Sequence, residues 1–118
     1  MKKDNAVRDK SFDFAVRVVN VYKYLADKKR EFVLSKQLLR SGTAIGALVR
    51  EAEYAESKAD FIHKMFIALK KANETDYWLE LLYQTDYFTE KEYQALKDDA
   101  VELIKLLVSI IKSSKKNN

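Results

Sequence analysis

The chain contains no proline, and its only two glycines, Gly42 and Gly46, stand four residues apart. Folds assembled from many tight turns use both residue types repeatedly. This chain is thereby confined to long helices joined by short connections. The segment holding both glycines, QLLRSGTAIGALVRE from Gln37 to Glu51, keeps a helical period. Yet it places Ser41, Gly42, Thr43, Ala44, Gly46 and Ala47 within seven positions. Glycine in a helix interior costs about 1 kcal/mol relative to alanine, a loss with no return on a solvent-facing helix. Small residues at helical spacing let another backbone come close. Arg40 and Glu51 bracket the segment eleven residues apart, and so lie on nearly the same face. The stretch reads as the most tightly packed helix of an all-helical domain and as a candidate assembly surface.

A chain of 118 residues is expected to be one domain, 1–118, able to bury a core unaided. With no cysteine, disulfide frameworks, thiolate chemistry and cysteine-based zinc sites are excluded. The start, MKKDNAVRDKSF, has no hydrophobic signal core. No apolar run approaches the roughly 20 residues of a membrane span. A bacterial-type, cytoplasmic protein without membrane association is expected.

Four amphipathic segments follow one another. The spacing predicts helices over approximately 11–29, 35–55, 58–85 and 90–113, with 1–10 and 114–118 frayed. Ser11 is the expected cap of the first helix, whose apolar stripe is Phe14, Val18, Val21, Tyr22 and Leu25. Ser35 is the expected cap of the second, with Leu38, Ser41, Ile45, Leu48 and Ala52 inward. Ser57 and Asp60 have capping-box spacing, and Thr89 with Glu92 forms a T-x-x-E box. The third helix carries Phe61, Met65, Ala68, Ala72, Leu79 and Leu82, widened by Ile62, Phe66, Leu69 and Trp78. The fourth carries Tyr93, Leu96, Ala100, Leu103, Leu107 and Ile110. Short links between four such helices imply an antiparallel up-down-up-down four-helix bundle.

That topology sorts the charge. Residues 1–40 carry 11 Lys/Arg against 5 Asp/Glu, whereas residues 41–118 carry 11 against 13. Lys2, Lys3, Arg8, Lys10, Lys112, Lys115 and Lys116 gather at one end of the bundle; Lys28, Lys29, Arg30 and Lys36 gather at the other. The asymmetry is a hint of an anionic partner, while for the net charge of +4 alone plain solubility is the favoured account.

QLLRSGTAIGALVRE, then Phe61 and IALKKANETDYWLELL (67–82), resembles a family of small bacterial four-helix bundles. These are the proteins encoded in intervening sequences of 23S rRNA genes, related to the accessory variability determinant of diversity-generating retroelements. Gln37, Leu38, Arg40, Ser41, Ile45, Glu51, Phe61, Ala68 and Glu74 match the family's pattern over roughly residues 12–111. Ala44, Leu48, Ala52 and Lys71 or Ala72 stand where the family often has Ser, Asn, Gly and Ser. The resemblance implies a homo-oligomer, a pentamer in the known form, and nucleic-acid association in some members. It implies no enzymatic activity.

The residues agree with that last point. The lone His63, three positions after Asp60, falls far short of the paired Glu-x-x-His motifs of a di-metal bundle. No phosphate loop, nucleophile elbow or zinc spacing occurs. Asp98, Asp99 and Glu102 read as a solvated face. Neither metal nor cofactor is expected. Arg40, Glu51 and Glu74 sit in otherwise packed helices, where a buried charge needs a partner. Arg40 is expected to pair with Glu74 or with another subunit, or else to reach solvent. The aromatic set is read mainly as packing; only Tyr22 and Tyr24, beside Lys23 and 28–30, approach a stacking platform.

The candidate assembly residues are therefore Arg40, Ser41, Gly42, Ile45, Glu51, Phe66, Glu74, Tyr77 and Trp78. The candidate nucleic-acid residues are Lys28, Lys29, Arg30, Lys36, Lys112, Lys115 and Lys116. The partners implied are a further copy of the chain and RNA or DNA. A protein-interaction scaffold or accessory subunit, without direct nucleic-acid binding, is the alternative.

Overall fold

A computed structural model describes residues 2–116, with side chains from residue 6 onward. Four helices, α1 (Lys2–Asp27), α2 (Leu34–Ala52), α3 (Lys58–Gln84) and α4 (Glu90–Lys116), form an elongated bundle with extents of 48 × 22 × 19 Å. Each helix packs on the next in sequence, and α1 closes the square against α4 through the loosest of the four seams. The core runs the length of the bundle, from Val7 and Ile110 at the terminal end to Leu25 and Phe88 at the other.

The helix boundaries depart from expectation at three places. Helix α1 begins at Lys2 rather than at Ser11. Its buried stripe continues backward through Ser11 to Val7, which is fully buried, so packing extends a helix into a segment whose polarity suggested fraying. Ser11 is no cap. It is buried in mid-helix, and its hydroxyl donates to the Arg8 carbonyl at 3.1 Å. Helix α2 stops at Ala52, and the N–H groups of Glu53, Tyr54 and Ala55 donate to carbonyls three residues back, tightening the exit. Helix α4 continues through Ser114 and Lys115 to Lys116; Met1, Asn117 and Asn118 lie outside the described residues.

The two capping boxes hold. Ser57 accepts from the Asp60 N–H at 3.0 Å, while the Asp60 carboxylate reaches one residue further back, to the Glu56 N–H at 3.2 Å. Thr89 and Glu92 exchange their two bonds reciprocally at 2.8 and 3.1 Å. Helix α2 is capped differently. Ser35 is inside the helix, and Val33 at the cap position makes no side-chain cap bond. The carboxylate of Glu31 accepts instead from the N–H groups of Val33, Leu34 and Ser35, at 3.1, 3.0 and 2.6 Å.

The small-residue segment explains itself in three dimensions. A Cβ on Gly42 would come within 2.9 Å of both Val18 methyl carbons, and one on Gly46 within 3.3 Å of the Ser11 carbonyl oxygen. Both glycines therefore face α1 and let its backbone lie close. On the α3 side, the buried hydroxyls of Ser41 and Thr75 lie 3.0 Å apart. Each is also within reach of its own helix, at the Gln37 and Lys71 carbonyls.

Candidate nucleic-acid interface

At the α1–α2 connection, Glu31 turns inward. Its N–H donates to the Leu25 carbonyl at 2.9 Å, and its carboxylate covers the first turn of α2. Burial pushes this carboxyl upward. The backbone N–H groups of Leu34, Ser35 and Val33 and the Ser35 hydroxyl together outweigh that, holding it below the ordinary range. Of the two acids that flank the basic run, Asp27 and Glu31, the second is therefore spent on the helix.

The cations around it stay exposed. Lys28 pairs with Asp27 at 3.9 Å, with both side chains more than 70% exposed. Lys29 Nζ stands 6.0 Å from the centre of the Tyr24 ring, and the Arg30 guanidinium 5.2 Å from that of Phe32. Arg30 has a φ of 55°, the left-handed conformation that ends the helix. Lys36 is exposed on the first turn of α2. Tyr24 and Phe32 remain 39% and 44% exposed, and Val33 70%.

The terminal end is organised otherwise. Arg8 pairs with Glu53 at 3.3 Å and Lys10 with Glu102 at 2.8 Å, which raises the Lys10 pKa. Lys112 and Lys116 are exposed on the last turns of α4. Lys115 and Lys70 stand 6.0 and 5.9 Å from the ring of Phe66. The side chains of Lys2 and Lys3, expected at this end, lie outside the described residues.

The expected assembly residues divide into two groups. Ser41, Gly42 and Ile45 are buried inside the subunit. They pack α1 and α3 rather than presenting a surface. Arg40 is exposed, and no acid pairs with it among the described residues. Glu74 is taken by the Trp78 indole N–H at 3.0 Å and by Lys71 at 3.7 Å, which corrects the expected Arg40–Glu74 pair within the chain. Glu51 is exposed and binds Lys64 at 3.1 Å. Phe66 and Tyr77 are exposed, and Tyr77 meets Trp78 edge-on at 4.9 Å.

Asp99 and Glu102 do more than line a solvated face: Asp99 pairs with Arg17 and Glu102 with Lys10, bridging α4 to α1. His63 is exposed. No group of three or more metal-ligating side chains occurs among the described residues. Among them, too, no helix is long and apolar enough to cross a membrane.

Sequence reasoning placed the basic clusters but missed two features of the first one. The signal for Glu31 was an acid three residues ahead of a helix that lacks a good cap residue. Phe32 was passed over because it lies in a connection, outside any helical stripe.

Fold and surface together define the class: an antiparallel four-helix bundle with one strongly basic, aromatic-bearing connection. The profile of the 23S rRNA-intervening sequence protein family matches residues 3–109, and the chain belongs to that family. A crystal structure from Bacteroides thetaiotaomicron, described as a protein of unknown function from the S23 ribosomal protein family, is similar over nearly its whole length. It is 62% identical, covers 93% of this chain and 98% of its own, and superposes with a TM-score of 0.92. Comparison with curated proteins finds no match.

Proposed function

We propose that this protein is a non-enzymatic, homo-oligomeric bundle that associates with RNA or DNA through phosphate contacts at its basic ends, principally the α1–α2 connection. One observation carries the reading. Lys28, Lys29, Arg30 and Lys36 are displayed together while the acid among them, Glu31, is turned into the helix terminus. A family named for ribosomal RNA gene insertions is consistent with a nucleic-acid partner. The second basic group, Lys112, Lys115 and Lys116, is the secondary contact.

One subunit offers few phosphate contacts, too few for tight binding at physiological salt. Several copies in a ring, five by the family resemblance, multiply the contacts and the local potential. The surfaces for self-association are exposed ones: Arg40, Glu51, Phe66 and Tyr77, with Arg40 pairing across subunits. Binding is backbone-dominated and salt-sensitive. Fluorescence polarisation with generic RNA and DNA at low and moderate salt tests this. Steep weakening with salt is expected. Replacing Lys28, Lys29 and Arg30 together with Gln should make the log–log salt slope shallower by about 0.7–0.9 for each phosphate that is no longer neutralised. No binding even at low salt removes the reading.

A second reading has its own observation. Phe12 and Val16 on α1 are 52% and 46% exposed, and Tyr54 is 86% exposed. An accessory subunit that binds protein, such as the reverse transcriptase of a diversity-generating retroelement, would use such a face. Under that reading, replacing Phe12, Val16 and Tyr54 with Ser abolishes binding of the partner protein, and the Gln variants change nothing.

A further inference from the structure

We propose that the α1–α2 connection is a stacking platform for single-stranded nucleic acid. Tyr24 and Phe32 take unpaired bases while Lys28, Lys29, Arg30 and Lys36 take the flanking phosphates. This rests on the nucleic-acid reading above and narrows its substrate to strands with accessible base faces.

The argument begins with Phe32. At this end of the bundle Phe88 is 7% exposed and fills the core, so an apolar ring can be buried there. Phe32 is left 44% exposed in a short connection, with the Arg30 guanidinium 5.2 Å from its centre. Tyr24, on the last turns of α1, repeats the arrangement with Lys29 at 6.0 Å. Each exposed ring thus carries its own cation. Proteins that hold single strands combine these two groups: a π-face for the base and a neighbouring positive charge for the backbone. A duplex hides its base faces and could use only the cations.

The connection is also held in shape. Glu31 is anchored at both its N–H and its carboxylate, so the residues on either side of it, Arg30 and Phe32, cannot drift independently. Arg30 holds a φ of 55°, where glycine would sit without strain. A long cationic side chain at a position suited to glycine serves the surface rather than the backbone. Its sequestered neighbour leaves Asp27 as the acid beside the cluster. The occupant this charge favours is a polyanion, and the rings favour one with exposed bases.

The test measures the intact protein against a labelled single-stranded oligonucleotide, the matched duplex of equal length, and anionic phospholipid vesicles. The single strand is expected to bind more tightly than the duplex at equal salt. Tyr24→Ala and Phe32→Ala should each weaken single-strand binding about fivefold to a hundredfold. Duplex binding and the salt slope should not move. Arg30→Gly should weaken binding to both while leaving the melting temperature unchanged or higher, because Gly fits the observed φ. Circular dichroism melts check that the aromatic variants stay folded; these half-exposed positions should shift the melt little. Equal binding of duplex and single strand, unmoved by either aromatic variant, overturns the platform and leaves the basic-end reading standing. Binding to neither nucleic acid at low salt overturns both. Binding to vesicles alone assigns the aromatic–cation pairs to a lipid surface and overturns the proposal.

Discussion

Helix α1 meets its two neighbours by different chemistry. Against α2 the backbones lie close, with the Gly42 and Gly46 positions filled by Val18 and by the Ser11 main chain. Against α4 the approach is the loosest in the bundle. Long charged side chains span that seam, Lys10 to Glu102 and Arg17 to Asp99. Beside them lies a cleft of about 210 Å³ lined partly by Asp13, Phe14 and Leu103. The first contact is apolar, close and intolerant of added volume. The second is looser, with charged side chains bridging over an apolar stripe. The difference bears on function, because the connection leaving the α1–α2 contact is the one that carries the candidate interface. The close α1–α2 contact and the Glu31 anchor hold the backbone that carries its cations.

The contrast can be broken most severely at Gly42. Gly42→Leu drives a branched side chain into Val18, a β-branched residue with little rotamer freedom in a helix. Overpacking of this kind costs about 1–3 kcal/mol, only partly offset by the gain in helix propensity. Chemical denaturation of the variant measures it, and a loss below roughly 1 kcal/mol would mean that the close contact is not rigid.

Next in size is Glu31→Ala, which strips three N–H groups of their acceptor and should cost about 1–2 kcal/mol. Its pH dependence is the sharper measurement. The folded carboxyl titrates below its ordinary value of 4.5. Its contribution is therefore complete above the unfolded pKa and disappears as pH falls through the folded one. The wild type should lose this increment in acid, and Glu31→Gln should show a flatter acid limb. Parallel acid limbs for the two proteins would contradict the cap.

The smallest effects belong to the α1–α4 seam. Asp99→Asn and Glu102→Gln break exposed or half-exposed ion pairs; the first should cost no more than about 1 kcal/mol and the second less. Added salt should shrink the difference further. A larger loss at either position would show that these bridges, and not the apolar stripe beneath them, hold α4 to α1.

The pattern of apolar residues carried the fold. The stripes through Leu38, Ile45, Met65, Leu79, Leu103 and Leu107 were all readable from spacing, and all are buried. The capping boxes at Ser57 and Thr89 were equally readable, because a cap is a contact between residues three apart. Other local signals misled. Ser11 has the chemistry of a cap, but Val7 and the proximity of α2 carry the helix past it. Ser41 and Ile45 looked available for assembly because no linear pattern says which neighbour consumes a small or apolar face. Glu74 looked free for Arg40, although Trp78 stands four residues on, where its indole N–H reaches that carboxylate.

By itself, the sequence determined that this chain is a bundle of four helices, where the apolar stripes run, and that its cations collect at the ends. Those outcomes rest on residue type and on spacing within one helix, both of which are local. The tertiary structure alone decided which backbone fills the space left by Gly42 and Gly46, and which cations are neutralised. Each of these depends on where a side chain's atoms end up relative to groups that spacing alone does not bring together, and only the folded chain places them.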